Sequence, residues 1–425
     1  MSFAEAGFVS AYAPGRAEIA GNHTDHQGGC AIAATVDCGV EVVASPRDDM
    51  HAHVESEGFG VFDVDLRELG TREDEKGTTA ALVRGMAAGL RCAGVEVRGF
   101  DAKVRSDVPA GGGLSSSAAF ELALGQVLNA LFADGRITAS DLAVIGQQAE
   151  RDHFGKPCGL LDQLSIALGG VNLFDFGACM KPEADDAKGA SNFAGQPTSE
   201  GSPAPLNACA ASLSREIASG ASGGAPIPGI ESVDFDLDAY GYVMFLVDTH
   251  CDHSEYGDEY ARVAQDMCDV ARYLGSDVLS GVSKGTFVAR FQEVRAALGD
   301  LPALRALHFY NEMELVDVRA RALKAGDFDA FLEATRRSGA SSAQFLQNVS
   351  TFDRKSQPAM IALALAQLIG ANGTAVRIHG GGFGGSVQAF VPKDAADGFA
   401  ASMDALLGAG TCKPYRIVYE GAHIR

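Results

Sequence analysis

Through the first hundred residues, short apolar runs alternate with polar turns, and further on the apolar positions fall at helical spacing. Residues 8–12 read as a strand that leads into a polar turn over residues 13–29. Residues 31–44 are apolar and β-branched enough to predict a strand pair, and residues 55–65 another strand. Leu82, Met86 and Leu90 share a helical face, so residues 78–92 are predicted helical. Residues 100–108 alternate as a strand that runs straight into a glycine loop. Beyond the loop, Ala119, Leu122, Ala123, Val127, Ala130 and Leu131 recur at three- and four-residue steps and predict a helix. Thr138-x-x-Asp141 fits a capping box for the next helix, with Leu142, Ile145 and Ala149 on one face. That helix should close before Gly155 and Pro157, and residues 170–176 read as a strand.

The pattern is lost from about residue 181 to 229, where Gly, Ala, Ser, Pro, Asn and Asp dominate. A structureless stretch of that length inside a domain is uncommon, so it reads as a linker or flexible insertion, with a short helix possible at 208–217. Residues 1–180 and 230–425 then form two domains. The second should open on a strand at 240–248 and continue through helices at 259–274, 284–298, 309–325, 328–338 and 357–368. Strands at 374–379, 386–391 and 415–419 close it. Strands and helices mixed in two blocks, without an internal repeat, predict α+β architecture.

With 425 residues, 47% hydrophobic and 21% charged, the chain has ample core for two domains. The formal charge of −21 argues against a nucleic-acid or anionic-membrane binder, but not against a nucleotide held by backbone donors and Mg²⁺. No apolar run reaches the roughly 18–20 residues of a membrane span, and no secretory signal is visible at the N-terminus. The nine cysteines are scattered, with no Cys-x-x-Cys pair. Reduced thiols and a cytoplasmic location are therefore expected.

Three glycine-bearing clusters carry the candidate chemistry. In Pro109-Ala-Gly-Gly-Gly-Leu-Ser-Ser-Ser-Ala-Ala119, glycines precede serines at a helix mouth, where free N–H groups and the helix dipole suit a phosphate. A plain turn is the alternative. The loop lacks the Lys of a Walker P-loop, and no Gly-x-Ser-x-Gly elbow is present. A second cluster, residues 13–29, gathers Arg16, Glu18, Asn22, His23, Asp25 and His26. It reads either as a solvated loop or as groups for a polyhydroxylated ligand, since carboxylates and imidazoles hold hydroxyls in defined directions. A metal site is disfavoured, because no cysteine or spaced histidine completes a ligand set. The third, Val376-Arg-Ile-His-Gly-Gly-Gly-Phe-Gly-Gly-Ser386, formally matches Gly-x-Gly-x-x-Gly. A strand rather than a helix follows it, which excludes a dinucleotide fold. Glu150 near a helix end and Asp162 in the first turn of a short helix add carboxylates; a bare dipole partner is the other reading of Asp162.

Together, in this order, the clusters resemble the GHMP small-molecule kinase family over nearly the whole chain outside 181–229. The resemblance implies two-domain α+β architecture: an N-terminal domain like ribosomal protein S5 domain 2, a C-terminal ferredoxin-like sandwich, and the active site between them. It implies an ATP-dependent sugar 1-kinase acting on D-galactose, with Mg²⁺ as cofactor. Gly111, Gly112, Gly113, Leu114, Ser115, Ser116 and Ser117 would wrap the ATP phosphates, and Ser117 and Glu150 would hold the metal. Asp162 would be the catalytic aspartate beside the anomeric hydroxyl, facing Arg16. Asn22, His23, Asp25, Tyr260, Gly381 and Gly382 would meet the sugar. Asp162 either takes the hydroxyl proton or orients the nucleophile in a loose transition state. The implied partners are sugar and ATP, with no nucleic acid or membrane, in a monomer or weak dimer.

Three departures from the family pattern bear on specificity. Asn22 stands where relatives carry a sugar-contacting Glu, and Glu18 where Asn is common. The chain has no Trp, and offers Thr78-Thr-Ala-Ala-Leu82 where many relatives stack an aromatic on adenine. The alternatives are a kinase for N-acetylgalactosamine, arabinose or a heptose, or a non-catalytic sugar sensor.

Overall fold

Strand β1 (Val9–Ala20) runs unbroken through much of the segment expected to be a polar turn. The turn itself is confined to residues 21–29 and holds a 3-10 turn at Asp25–Gln27. The computed structural model describes residues 7–109, 111–156, 158–177, 227–251, 256–351, 353 and 355–425. The expected insertion up to residue 226, with its short helix at 208–217, lies outside them.

The strand pair expected at 31–44 is instead one strand, β2 (Cys30–Pro46), while the single strand expected at 55–65 is a hairpin, β3 (His51–Ser56) and β4 (Gly60–Asp65). Gly39 is a mid-strand residue across which the Tyr12 ring lies. Helix α1 (Thr79–Cys92) starts where Thr78 Oγ1 accepts from the Ala81 N–H. Next come β5 (Phe100–Ser106), α2 (Ser116–Ala133) and α3 (Ala139–Gln148); Thr138 caps α3 by accepting from the Asp141 N–H at 3.2 Å. A π-helical turn at Ala149–Phe154, α4 (Leu161–Leu168) and β6 (Val171–Asp175) follow.

Beyond the undescribed segment, β7 (Gly229–Ser232) and β8 (Tyr242–Asp248) lead to α5 (Gly257–Tyr273). The helix expected at 284–298 is divided at Arg290 into α6 (Lys284–Ala289) and α7 (Phe291–Leu298). The helix expected at 309–325 begins at Asp300, as α8 (Asp300–Ala325). Pro302 is tolerated because it lies in the first turn, where a missing N–H costs nothing. Its periodicity is obscured because Arg305, His308, Glu312 and Arg319 are all buried. Then come α9 (Phe328–Ser341), α10 (Pro358–Ile369), β9 (Ala375–His379) and β10 (Ser386–Pro392). Helix α11 (Ala396–Leu407) was not anticipated. The last expected strand is displaced to β11 (Cys412–Tyr415), and a two-residue strand, β12 (His423–Ile424), follows.

The first sheet has the order β12-β1-β2-β5-β3-β4, with β6 on β2 and β7 beyond it. β2 is antiparallel to β1 throughout, while its two halves take β6 and β5 on the other edge. The second sheet is antiparallel, in the order β11-β8-β10-β9. One large core lies under the first sheet, where α2 packs on β1 and β2. A second lies between the second sheet and α10 and α11, and a third beneath α5 and α8.

Candidate active site

Two register shifts against β2, at Pro14/Gly15 and at Glu18/Ala20, bracket the part of β1 that holds Arg16 and Glu18. Bulges of this kind re-aim side chains, and the two-residue period keeps Arg16 and Glu18 on one face. That face looks into a cavity. Asp162, second residue of α4, enters from the other side and meets Arg16 at 2.5 Å. Ser115 joins them: its hydroxyl donates to Asp162 Oδ2 at 2.5 Å and accepts from Arg16. Burial pushes the Asp162 carboxyl up, but Arg16, Lys156 and the Ser115 hydroxyl outweigh it and hold it below the usual aspartate range. Arg16 Nε is buried with no hydrogen-bond partner among the described residues. A donor is thus left for an incoming oxygen.

The glycine loop is held against this cluster from two directions. The Arg16 N–H donates to Leu114 O at 3.0 Å, and Ser386 Oγ, at the start of β10, donates to Gly112 O at 2.9 Å. The sequence-predicted loop residues Gly111, Gly112, Gly113, Leu114, Ser115, Ser116 and Ser117 thus reach the mouth of α2. No side chain caps that helix: Ser115, in its N-cap position with φ 59°, spends its hydroxyl on Asp162. Ser117 Oγ donates to Glu150 Oε1 at 2.7 Å, and Lys156 Nζ reaches the same oxygen at 2.9 Å. The other oxygen, Oε2, accepts from Gln163 Nε2 at 2.8 Å. Burial pushes Glu150 up, and Lys156 and Ser117 more than reverse it. Glu121, reached by Gln163 at 3.1 Å, forms no ion pair among the described residues; burial and the Glu150 charge push it well above the usual range.

The polar turn supplies the other wall. Burial and the neighbouring His26 push the His23 imidazole down to about 3, and burial brings His26 to about 4, so both are neutral. Their tautomers then follow from their partners. His23 Nε2 donates to Gly381 O (2.9 Å), His26 Nε2 donates to His23 Nδ1 (3.2 Å), and Gln27 Nε2 donates to His26 Nδ1 (3.2 Å). Gln27 in turn accepts from the Leu279 N–H at 3.2 Å, tying the turn to the segment after α5. Tyr260, on α5, packs on both His23 and Gly381; a β-carbon on Gly381 would lie 2.1 Å from its ring. Asp25 is pushed up to about 6 by burial. It stands so close to Gly159 that a β-carbon there would lie 1.9 Å from Asp25 Oδ2.

Arg16, His23, Asp25, Asp162, Tyr260 and Gly381 therefore line one cavity. Asn22 is a correction. It is fully buried and is not among the residues lining that cavity. Its amide donates to Gly380 O and to Glu18 at 3.3 Å, and its oxygen accepts from Asn348 at 2.9 Å and Ser342 at 3.3 Å. The residue expected to touch sugar is spent on the protein. Gly382 likewise lies against Asn348 rather than in the cavity, and Gly380 takes its place.

The sequence reading missed three groups. Lys156 lines the cavity but was not among the expected site residues. The Glu18 carboxylate is paired with the fully buried Arg377, the second residue of the third glycine cluster. Ser115 had been read only as a phosphate-loop residue. Proximity of Lys156 to the Cys158-Gly-Leu-Leu-Asp-Gln163 stretch was the one available signal; the Glu18–Arg377 contact had none.

The site lies where the glycine loop, a carboxylate–guanidinium pair and the polar turn converge, in a chain that is similar to known proteins. Residues 81–170 match the GHMP kinases N terminal domain, and residues 2–46 match the galactokinase galactose-binding signature. Over these segments the chain is similar to the GHMP kinases. Among them it is similar to galactokinases. That of Actinobacillus pleuropneumoniae is 28% identical over 386 residues, covering 90% of this chain and 85% of the relative. That of Chloroflexus aurantiacus is 40% identical over 163 residues, covering 37% and 40%. The fold matches Lactococcus lactis galactokinase, solved with galactose, at a TM-score of 0.75 and 23% identity, over 98% of this chain and 95% of that one. A mevalonate kinase shares the fold at a TM-score of 0.61 and 12% identity, over 97% and 100%.

Proposed function

We propose that this chain transfers the terminal phosphoryl group of ATP to the anomeric hydroxyl of D-galactose in the cavity between Arg16, Asp162 and the polar turn. The reading is carried by the Arg16–Asp162–Ser115 cluster, which joins the phosphate loop to the sugar wall within hydrogen-bond distance. Asp162 accepts the hydroxyl's hydrogen bond and aims its oxygen at the phosphorus. With its affinity for protons lowered by Arg16 and Lys156, it is a poor base, and orientation is its main contribution. Arg16 uses its unpaired Nε–H on the oxygen that gains charge during transfer. The loop amides and the mouth of α2 take the remaining phosphate oxygens. Asp25 and the neutral His23 address the sugar hydroxyls.

The Ser117 hydroxyl and the buried Glu150 carboxylate, 2.7 Å apart, suit Mg²⁺, a hard cation that prefers oxygen ligands. Among the described residues no group of three or more His, Cys, Asp or Glu could cage a metal alone. Ser117 and Glu150 would hold the ion together with phosphate oxygens and water, as is usual for this cation. Bound there, it would neutralise charge on the ATP phosphates.

Residues 1–180 and 230–425 are taken as the two domains flanking the cleft, joined by 181–229, in a monomeric or weakly dimeric cytoplasmic enzyme. Among the described residues no helix is long and apolar enough to cross a membrane. The withdrawal of Asn22 from the cavity favours one second reading, a kinase of the same chemistry that prefers another sugar. Coupled detection of ADP with galactose, N-acetylgalactosamine, arabinose and heptoses separates the two. Galactose should give the highest kcat/KM; preference for another sugar establishes the second reading, and no turnover with any of them rejects both.

A further inference from the structure

Glu150 is almost fully enclosed, with 1% of its side chain exposed, whereas its partner Lys156 is 48% exposed. A buried carboxylate needs a cation, and here the ammonium supplies it from the solvent side. The Lys156 backbone N–H is fixed to Glu150 O at 3.1 Å, after Gly155 turns the chain at φ 87°. The four-carbon stem above it remains free to swing. Nζ and the Ser117 hydroxyl meet on one atom, Glu150 Oε1, at 2.9 and 2.7 Å. Lys156 also lines the same cavity as Arg16 and Asp162.

These contacts are incompatible with a divalent cation arriving at Ser117 and Glu150 while the ammonium stays in place. Two cations on one carboxylate oxygen repel each other by several kcal/mol even at the dielectric of a protein surface. Of the other carboxylates that line the cavity, Asp162 is already engaged by Arg16 and Ser115, Glu18 is paired with Arg377, and Asp25 stands against Gly159 on the wall formed by the polar turn. The anion left within the cavity is the terminal phosphate of the nucleotide. We propose that Lys156 is a phosphate-binding residue of the transfer reaction, seated on Glu150 before the metal binds and on the terminal phosphoryl group afterwards. The inference rests on the kinase reading above and adds to it a third cation, beside Arg16 and the metal. The Lys156 ammonium bears on the terminal phosphate and not on the two phosphates shared with ADP.

The test compares wild type with Lys156→Met and Lys156→Arg. Lys156→Arg should melt within a few degrees of wild type, whereas Lys156→Met leaves the buried Glu150 without its cation and should melt lower, so both are titrated at a temperature where they remain folded. Calorimetric titration with Mg²⁺ and a non-hydrolysable ATP analogue, and separately with Mg²⁺ and ADP, gives the main readout. Lys156→Met should weaken the analogue about tenfold, the worth of one charge-assisted hydrogen bond, and leave ADP within twofold. Lys156→Arg should recover most of the loss. Turnover should fall about 10–100-fold in the Met variant, with KM for galactose unchanged. Equal weakening of both nucleotides, or none, overturns the inference. Galactose-dependent ADP release by the wild type is measured first, so that a failed kinase reading is seen there and a failed Lys156 role only in the variants.

Discussion

The hydroxyl of Ser115 donates to Asp162 Oδ2 at 2.5 Å, so the phosphate loop is tied to the aspartate across the cavity. Ser115 therefore sets the direction in which the carboxylate points, in addition to any contact with phosphate. Ser115→Ala should lower kcat roughly 10–100-fold, the worth of a hydrogen bond to a charged group, and change KM for galactose much less. Asp162→Ala should abolish turnover, and should also lower the melting temperature because it leaves the buried Arg16 without its carboxylate. Substantial activity in Asp162→Ala would falsify the role given to that residue.

Asp25 is predicted to destabilise the ligand-free protein at neutral pH. Its folded value of about 6 lies above the ordinary 3.8, so the folded state favours the protonated form. The stability from that preference is complete below about pH 4 and is lost as pH rises through 6. Asp25→Asn should therefore stabilise the empty protein by on the order of 1–3 kcal/mol at pH 7, and by little at pH 4. Chemical denaturation at the two pH values measures the difference. A gain of equal size at both would show that the charge is not its origin.

Glu312 is predicted to have the opposite dependence. Burial pushes it up, but Arg319, with His308 and Arg377 behind it, brings it down to about 2. It also accepts from the Gly21 N–H at 3.2 Å and the Ser338 hydroxyl at 2.9 Å, pinning the start of the polar turn to α8 and α9. Its contribution is present above the ordinary value of 4.5 and is lost as pH falls towards 2. Glu312→Gln should cost about 3–5 kcal/mol at pH 7, because it leaves Arg319 buried and unpaired. The penalty should shrink in acid, as followed by urea denaturation at pH 7 and pH 3.

Gly159 is predicted to act through Asp25. Its β-carbon would need the space that Asp25 Oδ2 occupies, so Gly159→Ala should displace the carboxylate. KM for the sugar should rise about tenfold or more, with overpacking costing about 1–3 kcal/mol of stability. KM for ATP should be nearly unchanged. A rise in KM for ATP with none for sugar would place Gly159 on the wrong side of the cavity.

Much of the site could be read before the fold, for a physical reason. Arg16, Ser117, Glu150 and Asp162 belong to short segments whose residue types suit phosphate, metal or hydroxyl, and the resemblance of those segments to a known family is what singles them out as candidates. Glu18–Arg377 and the Gln27–His26–His23–Gly381 chain depend on segments hundreds of residues apart meeting in space. Nothing local in the sequence marks them. Asn22 shows the converse failure: its place in a motif suggested a ligand contact, whereas four protein groups use up its amide. The same burial of polar groups blurred the start of α8, where Arg305, His308 and Glu312 occupy positions that an amphipathic reading assigns to water.

Strand β1 has a neighbour from close by in sequence, β2, and one from nearly the full chain away, through Ala11↔Ile424 and Tyr12↔His423. The Arg425 guanidinium lies 3.8 Å above the Tyr12 ring at the same edge. A pairing this distant in sequence has a large loop-closure cost that must be met before the contact gives anything back. During synthesis the strand bearing Arg16 is among the first made, yet its outer edge stays open until residues 423–425 leave the ribosome. Completion of the strand that bears Arg16 is therefore a late event, with an unpaired edge exposed to other chains in the interval.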